Sequence, residues 1–191
     1  MTKETININE ANALIEKYLN QQYLKYHSRE TEIIMRALAD HFDDDEDLWG
    51  ITGLLHDLDM DETGGDIQSH GIRTIEILQE EGYEIPIMFR AIQSHVESLG
   101  IVGINRESIM EYCLSAAENI TGLISAYALM RPEKMEGMKA SSLNKKFKSK
   151  AFAANVSREL INDIEKTGLQ KNQFFDISIK AMQKIASEIG F

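Results

Sequence analysis

Apolar residues recur at three- and four-residue steps along most of this chain, and that period constrains the fold more than any other feature. The clearest case is ESIMEYCLSAAENITGLISAYAL, where Ile109, Cys113, Ala116, Ile120, Leu123 and Tyr127 share one helical face. Ile33, Met35, Leu38 and Phe42 mark a second such segment, and Ile72, Ile75 and Leu78 a third. Period-two alternation, the mark of a half-buried strand, is nearly absent. The only prolines, Pro86 and Pro132, are placed to start helices rather than to break them. The spacing predicts about eight helices, over roughly 10–19, 22–42, 45–57, 66–81, 86–98, 106–130, 154–167 and 172–189. Short turns or 3₁₀ pieces are expected over 132–150. The fold class is all-α: one domain over 1–191, with its core at about 20–130 and a basic loop and C-terminal helices over 131–191.

Hydrophobic residues make up 43% of the 191, enough for a substantial core. No apolar run approaches the roughly 18 residues of a membrane span. The first residues, MTKETININEANALIEKYLN, lack the apolar stretch of a secretory signal. Cys113 is the only cysteine, which excludes disulfides and thiolate clusters within the chain and predicts a reduced, cytoplasmic setting. It sits in an apolar run and is expected to be a buried core thiol. The formal net charge of −11 disfavours a nucleic-acid partner. The charge is uneven, however. Residues 131–150 hold seven Lys or Arg against two Glu, a local net of +5, which leaves −16 for the rest.

Four of the five histidines fall at expected helix starts or ends. His27 lies early in the second helix, His56-Asp57 ends the third, His70 opens the fourth and His95 ends the fifth. Glu118 is inside the long sixth helix, on a face with Leu114, Thr121, Gly122 and Ser125. Imidazoles and carboxylates suit Fe, Mn, Co, Ni or Zn where thiolates are absent. His27, His56, Asp57 and Glu118 could hold one such ion, and Asp57, as a bridge, could hold a second with His70 and His95. The small residues beside Glu118 suggest a cavity wall; a surface position is the plainer alternative. Taken singly, a helical histidine is more often hydrogen-bonded or exposed than a ligand. His41, in the acidic run ADHFDDDED, is expected to be exposed, and Asp59, Asp61 and Glu62 read most simply as solvated loop acids.

The ordered pattern H…HD…H…H…D/E resembles the HD-domain superfamily of metal-dependent phosphohydrolases. The segments KYHSRETEIIMRALA, DEDLWGITGLLHDLD, HGIRTIEIL, AIQSHVESLG and AAENITGLISAYALMRP, followed by SLNKKFKSKAFAANVSRE, are similar to a bacterial HDIG-type branch of that superfamily over about residues 20–185. The resemblance implies an all-helical bundle with a buried one- or two-metal site. It places His27, His56, Asp57 and Glu118 on the first-metal positions, and His70 and His95 on the extra positions of two-metal members. Two departures stand out. The last acid is Glu118 where the family has Asp, and LDMDE follows the doublet where HDIG and oxygenase relatives carry Gly-Lys.

The expected activity is hydrolysis of a small phosphorylated metabolite or nucleotide by a metal-activated water, with no nucleic-acid or membrane partner. Asp57, Asp59 and Asp61 are the candidate catalytic carboxylates, the last two to orient water or act as base. Lys145, Lys146, Lys148 and Lys150, with Arg131, could offset substrate phosphates, or could form a solvated loop. Gly64-Gly65 could let a helix start approach an anion, or form a plain turn. Two other readings stay open: a di-iron oxygenase of the myo-inositol oxygenase type, and a non-catalytic metal- or ligand-binding module.

Overall fold

The computed structural model describes residues 2–64, 66, 68–96 and 104–191. Its ten α-helices among those residues are α1 (Ile8–Tyr18), α2 (Gln22–Phe42), α3 (Glu46–Leu55), α4 (Met60–Thr63), α5 (Ile72–Glu80), α6 (Pro86–His95), α7 (Ile109–Met130), α8 (Ala140–Lys148), α9 (Arg158–Asn162) and α10 (Lys171–Lys184). A 3₁₀ turn, Asp163–Thr167, follows α9 directly. There is no β-strand among the described residues, and the fold is all-α. A single isolated bridge, Lys3 with Tyr83, ties the N-terminal segment to the α5–α6 turn.

Local chemistry sets the helix ends. Asn7 and Glu10 form a reciprocal capping box at the start of α1. The Asp45 carboxylate accepts from the backbone N–H groups of Asp47 and Leu48 at the start of α3, and Ser108 accepts from Glu111 at the start of α7. Pro86 occupies the first turn of α6, where its missing N–H costs no helical hydrogen bond.

Helix α2 packs against α3, α7 and α10, while α6 bridges α3 and α7. Two apolar clusters result. One is built on Ile34, Met35 and Leu38 of α2 with the buried stripe of α7 and with Phe174 and Phe175 of α10. Cys113 belongs to it, fully buried as a free thiol. The other joins α1 to Leu24, Leu54, Leu55, Leu58 and Ile92.

The expected boundaries change where the site is built. The third helix ends at Leu55 rather than 57, so His56 is its cap and Asp57 stands in the turn beyond. Helix α5 starts at Ile72 rather than 66, leaving His70 in the preceding turn. The fifth expected segment, now α6, ends at His95; residues 97 and 98 lie outside the described residues. Residues 140–148, expected to be turns or 3₁₀ pieces, form α8, because Leu143 and Phe147 stand one turn apart and both bury against the core.

The approach of α3 to α2, which brings His56 toward His27, requires Gly53. A Cβ there would lie 2.9 Å from Met35 Cγ and 3.0 Å from the Thr31 carbonyl oxygen. Gly53→Ala is therefore expected to cost up to about 2 kcal/mol: overpacking of about 1–3 kcal/mol is offset in part by the roughly 1 kcal/mol helix preference of Ala over Gly. Urea unfolding measures this, and a variant more stable than wild type would show that the helices are not held apart by one methyl.

Candidate metal centre

Five helix ends and turns bring four imidazoles to one carboxylate. Asp57 Oδ2 lies 3.4 Å from His27 Nε2, and Asp57 Oδ1 lies 3.3, 3.4 and 3.6 Å from the Nε2 atoms of His56, His70 and His95. Every Nδ1 is engaged on the far side of its ring. His56 Nδ1 donates to the Gly53 carbonyl (2.8 Å) and His95 Nδ1 to the Ile92 carbonyl (2.5 Å). His70 Nδ1 donates to Asp59 Oδ1 (2.9 Å). Thr121 gives its own hydroxyl proton to the Glu118 carbonyl (2.6 Å), so its Oγ1 accepts from His27 Nδ1 (3.0 Å). A carbonyl or carboxylate can only accept, so these backing contacts hold a proton on each Nδ1 and leave each Nε2 facing inward, free to hold a proton or a metal ion.

Such an arrangement calls for a cation. His56 Nε2 is buried with no hydrogen-bond partner. His70 Nε2 and His95 Nε2 face each other at 3.1 Å, and with both rings neutral and protonated on Nδ1 their lone pairs would repel there unless a proton or a metal ion lies between. The ligand atoms of His27, His56 and Asp57 fall within 4.8 Å of one another, and so do those of Asp57, His70 and His95. Ligands about 2.0–2.2 Å from a common ion, at tetrahedral to octahedral angles, stand roughly 2.8–3.6 Å apart. The contacts to Asp57 match that span, so the buried cluster fits a metal site of one ion or of two sharing Asp57.

The charges respond to this crowding. Burial opposes a charge on His27, but the Asp57 carboxylate prevails and raises the imidazole to about 9. Burial lowers His56 to about 3. For Asp57 burial favours the neutral acid, yet the surrounding imidazoles hold its pKa well below the usual carboxylate range. His70 is raised: burial opposes its charge, and Asp59 and Asp57 outweigh that.

The other sequence candidates separate clearly. Asp59 is no solvated loop acid. It is fully buried, its two oxygens accepting from His70 Nδ1 and from the Gly71 N–H (2.8 Å), so it orients His70 and has no free oxygen to serve as base. Asp61 ties down the chain just before α2, accepting from the Asn20 and Gln21 backbone N–H groups and from Gln21 Nε2. Glu118 joins neither trio of ligand atoms. Its carboxyl hydrogen-bonds to Asn119 Nδ2, and burial pushes its pKa up to about 7. Gly64 ends α4, Gly65 lies outside the described residues, and the turn directly before α5 is made by Gly71.

A cavity of about 600 Å³ opens beside His27 and Asp57, and no cation of the basic island lines it. Lys145 and Lys148 border a different cavity with Asn144 and Asn172. Lys146 stacks over Tyr127 and Phe152, and Arg131 lies over Tyr127 while donating to the Glu136 carbonyl. Lys150 is exposed, as is His41. The sequence reading missed Glu30, which lines the cavity one turn beyond His27 on α2; that spacing was the available signal. It also missed Ile189 and Phe191, which wall the same cavity and carry no local signature.

The sequence model of the HD domain family matches residues 24–139, more than half of the chain. The chain belongs to the HD domain family. The HD domain places it in a superfamily of metal-dependent hydrolases that bind divalent metals. Among curated proteins and solved structures, no match is found. The matched span of the HD domain holds all four site histidines, Asp57 and Glu118, and stops before α8.

Two outcomes follow from the way the HD-domain ligands are held. Asp59→Asn removes the charged acceptor behind His70 and is expected to weaken metal binding about 10–100-fold with helix content unchanged; equal affinity by calorimetry would mean that Asp59 does not orient the ligand. In addition, His27 carries a proton up to about pH 9 that an ion must displace. Metal affinity is therefore expected to rise from pH 6.5 toward 9, with proton release at pH 7. Calorimetry in buffers of different ionisation enthalpy reads that release, and flat affinity across the interval would refute it.

Proposed function

We propose that this HD domain is a phosphohydrolase that cleaves a small phosphate ester, in a reduced cytoplasmic setting. The observation that carries this reading is the convergence of four Nε2 atoms on Asp57 at the mouth of a ligand-sized cavity. His27, His56 and Asp57 would hold one divalent ion, and His70 and His95, with Asp57 between, a second. When bound, such ions supply Lewis acidity toward phosphoryl oxygens and a water acidic enough to react near neutral pH.

The chain's own residues supply position. Asp59 holds His70 in one tautomer, Thr121 does the same for His27, and the Gly53 and Ile92 carbonyls fix His56 and His95. With its ligands already oriented before substrate arrives, the site spends little on reorganisation. The lysines of α8 have no part in this scheme, since Lys145 and Lys148 border another cavity and Lys146 lies over Tyr127 and Phe152. No helix among the described residues is long and apolar enough to cross a membrane.

The test is a panel of phosphomonoesters assayed with the protein loaded in turn with Mn, Fe, Co, Ni and Zn. Hydrolysis of at least one ester is expected, abolished by a chelator and lowered about a thousandfold or more in Asp57→Ala. Activity that survives both treatments would belong to a contaminant, and metal-loaded protein inert toward the whole panel would overturn the reading.

A further inference from the structure

Helices α2 and α7 face each other through two successive polar rungs. The first, His27 with Thr121, belongs to the metal centre. The second, one turn on, is Glu30 with Ser125, whose hydroxyl donates to Glu30 Oε1 at 2.9 Å. Three residues along a helix advance it about 4.5 Å, so the Glu30 carboxylate stands one step from the metal ligands, in the wall of the same cavity.

Glu30 is an unusual acid for its surroundings. It is 6% exposed, and no Lys or Arg among the described residues forms an ion pair with it; Glu32, two residues on and also buried, is held by the guanidinium groups of Arg29 (2.7 Å) and Arg36 (2.9 Å). Glu30 Oε2 accepts no hydrogen bond from any described residue. Burial pushes its pKa up to about 7, and in the ionised form Oε2 is an acceptor that faces the cavity, where a ligand donor can take the place of water. Around it the lining is apolar or aromatic, with Tyr26, Leu129, Ile189 and Phe191, and it includes no Lys or Arg among the described residues.

We propose that this cavity takes the organic half of a phosphate ester, that the ester presents a hydroxyl or amino donor to Glu30, and that it carries no second anionic group there. The inference rests on the phosphohydrolase reading and names the substrate class for it. Phosphate sits at the metal end, an apolar body fills the Leu129–Phe191 side, and the donor satisfies Oε2. A second carboxylate or phosphate in that position would meet Glu30 with no cation to offset it. Glu30 acts here as a specificity residue. A site built to accept from a substrate donor discriminates against analogues lacking that donor, because its own polar atom is then left unpaired.

Binding of non-hydrolysable probes to metal-loaded protein tests this without need of turnover. The probes are benzylphosphonate, its 3- and 4-hydroxymethyl derivatives and its 3- and 4-carboxy derivatives, titrated by calorimetry. One hydroxymethyl isomer is expected to bind about tenfold or more tighter than benzylphosphonate, and both carboxy probes more weakly. In Glu30→Gln, with metal content unchanged, that advantage shrinks and a carboxy probe gains about tenfold, since the amide can donate to it. Should Glu30→Gln fail to fold, Glu30→Asp retracts the same carboxylate by one methylene and should lose the same ranking. A ranking identical in wild type and variant, or carboxy probes that bind wild type best, overturns the inference and leaves the phosphohydrolase reading standing. If no probe binds while metal is retained, the phosphohydrolase reading fails and takes this inference with it.

Discussion

Four imidazole lone pairs aimed at one buried carboxylate are the constraint to which the rest of the molecule answers. Asp57 could not lie buried among bare Nε2 atoms unless each ring were locked from behind, and each lock comes from a different element. Thr121 belongs to α7, Gly53 to α3 and Ile92 to α6, while Asp59 stands in the turn after the doublet. The locks work only if those elements keep register. The packing of α3 on α2 through Gly53, the tethering of the chain before α2 by Asp61 and the burial of the α7 stripe all serve that end. The electrostatics point the same way: His56 is held neutral by burial while His27 and His70 are drawn toward charge by the carboxylates.

The sequence disclosed the clustered imidazoles and Asp57 well and their supports poorly. His27, His56, Asp57, His70 and His95 stood out because they are few, chemically distinctive and placed where helices start or end. The helical period alone was enough for the all-α class and for a buried Cys113. Asp59 was hidden because LDMDE reads as a solvated acidic loop; only the return of the chain through His70 and Gly71 supplies the donors that bury it. Helix α8 was obscured by its lysines, which mask the one-turn pairing of Leu143 and Phe147. The same lysines suggested a phosphate site because they follow the helix of Glu118 in sequence, yet α8 carries Lys145 and Lys148 to a different cavity. Ile189 and Phe191 reach the site only through tertiary packing, which no local pattern encodes.

The division of the core into two apolar clusters has a mechanical consequence. Helix α2 gives Leu24 to one cluster and Ile34 to the other, with His27 between; α6 likewise gives Ile92 to one and Ala91 to the other, just before His95. The polar centre thus runs along the seam where the clusters meet. Seams of unpaired polar groups are where a fold parts most easily. An ion gripped from both sides would close this seam, binding the folded chain and not the unfolded one, and its stabilisation would grow with the logarithm of its free concentration. Because α2 and α6 each feed both clusters, the availability of metal would then bear on how long the protein lasts as well as on what it can do.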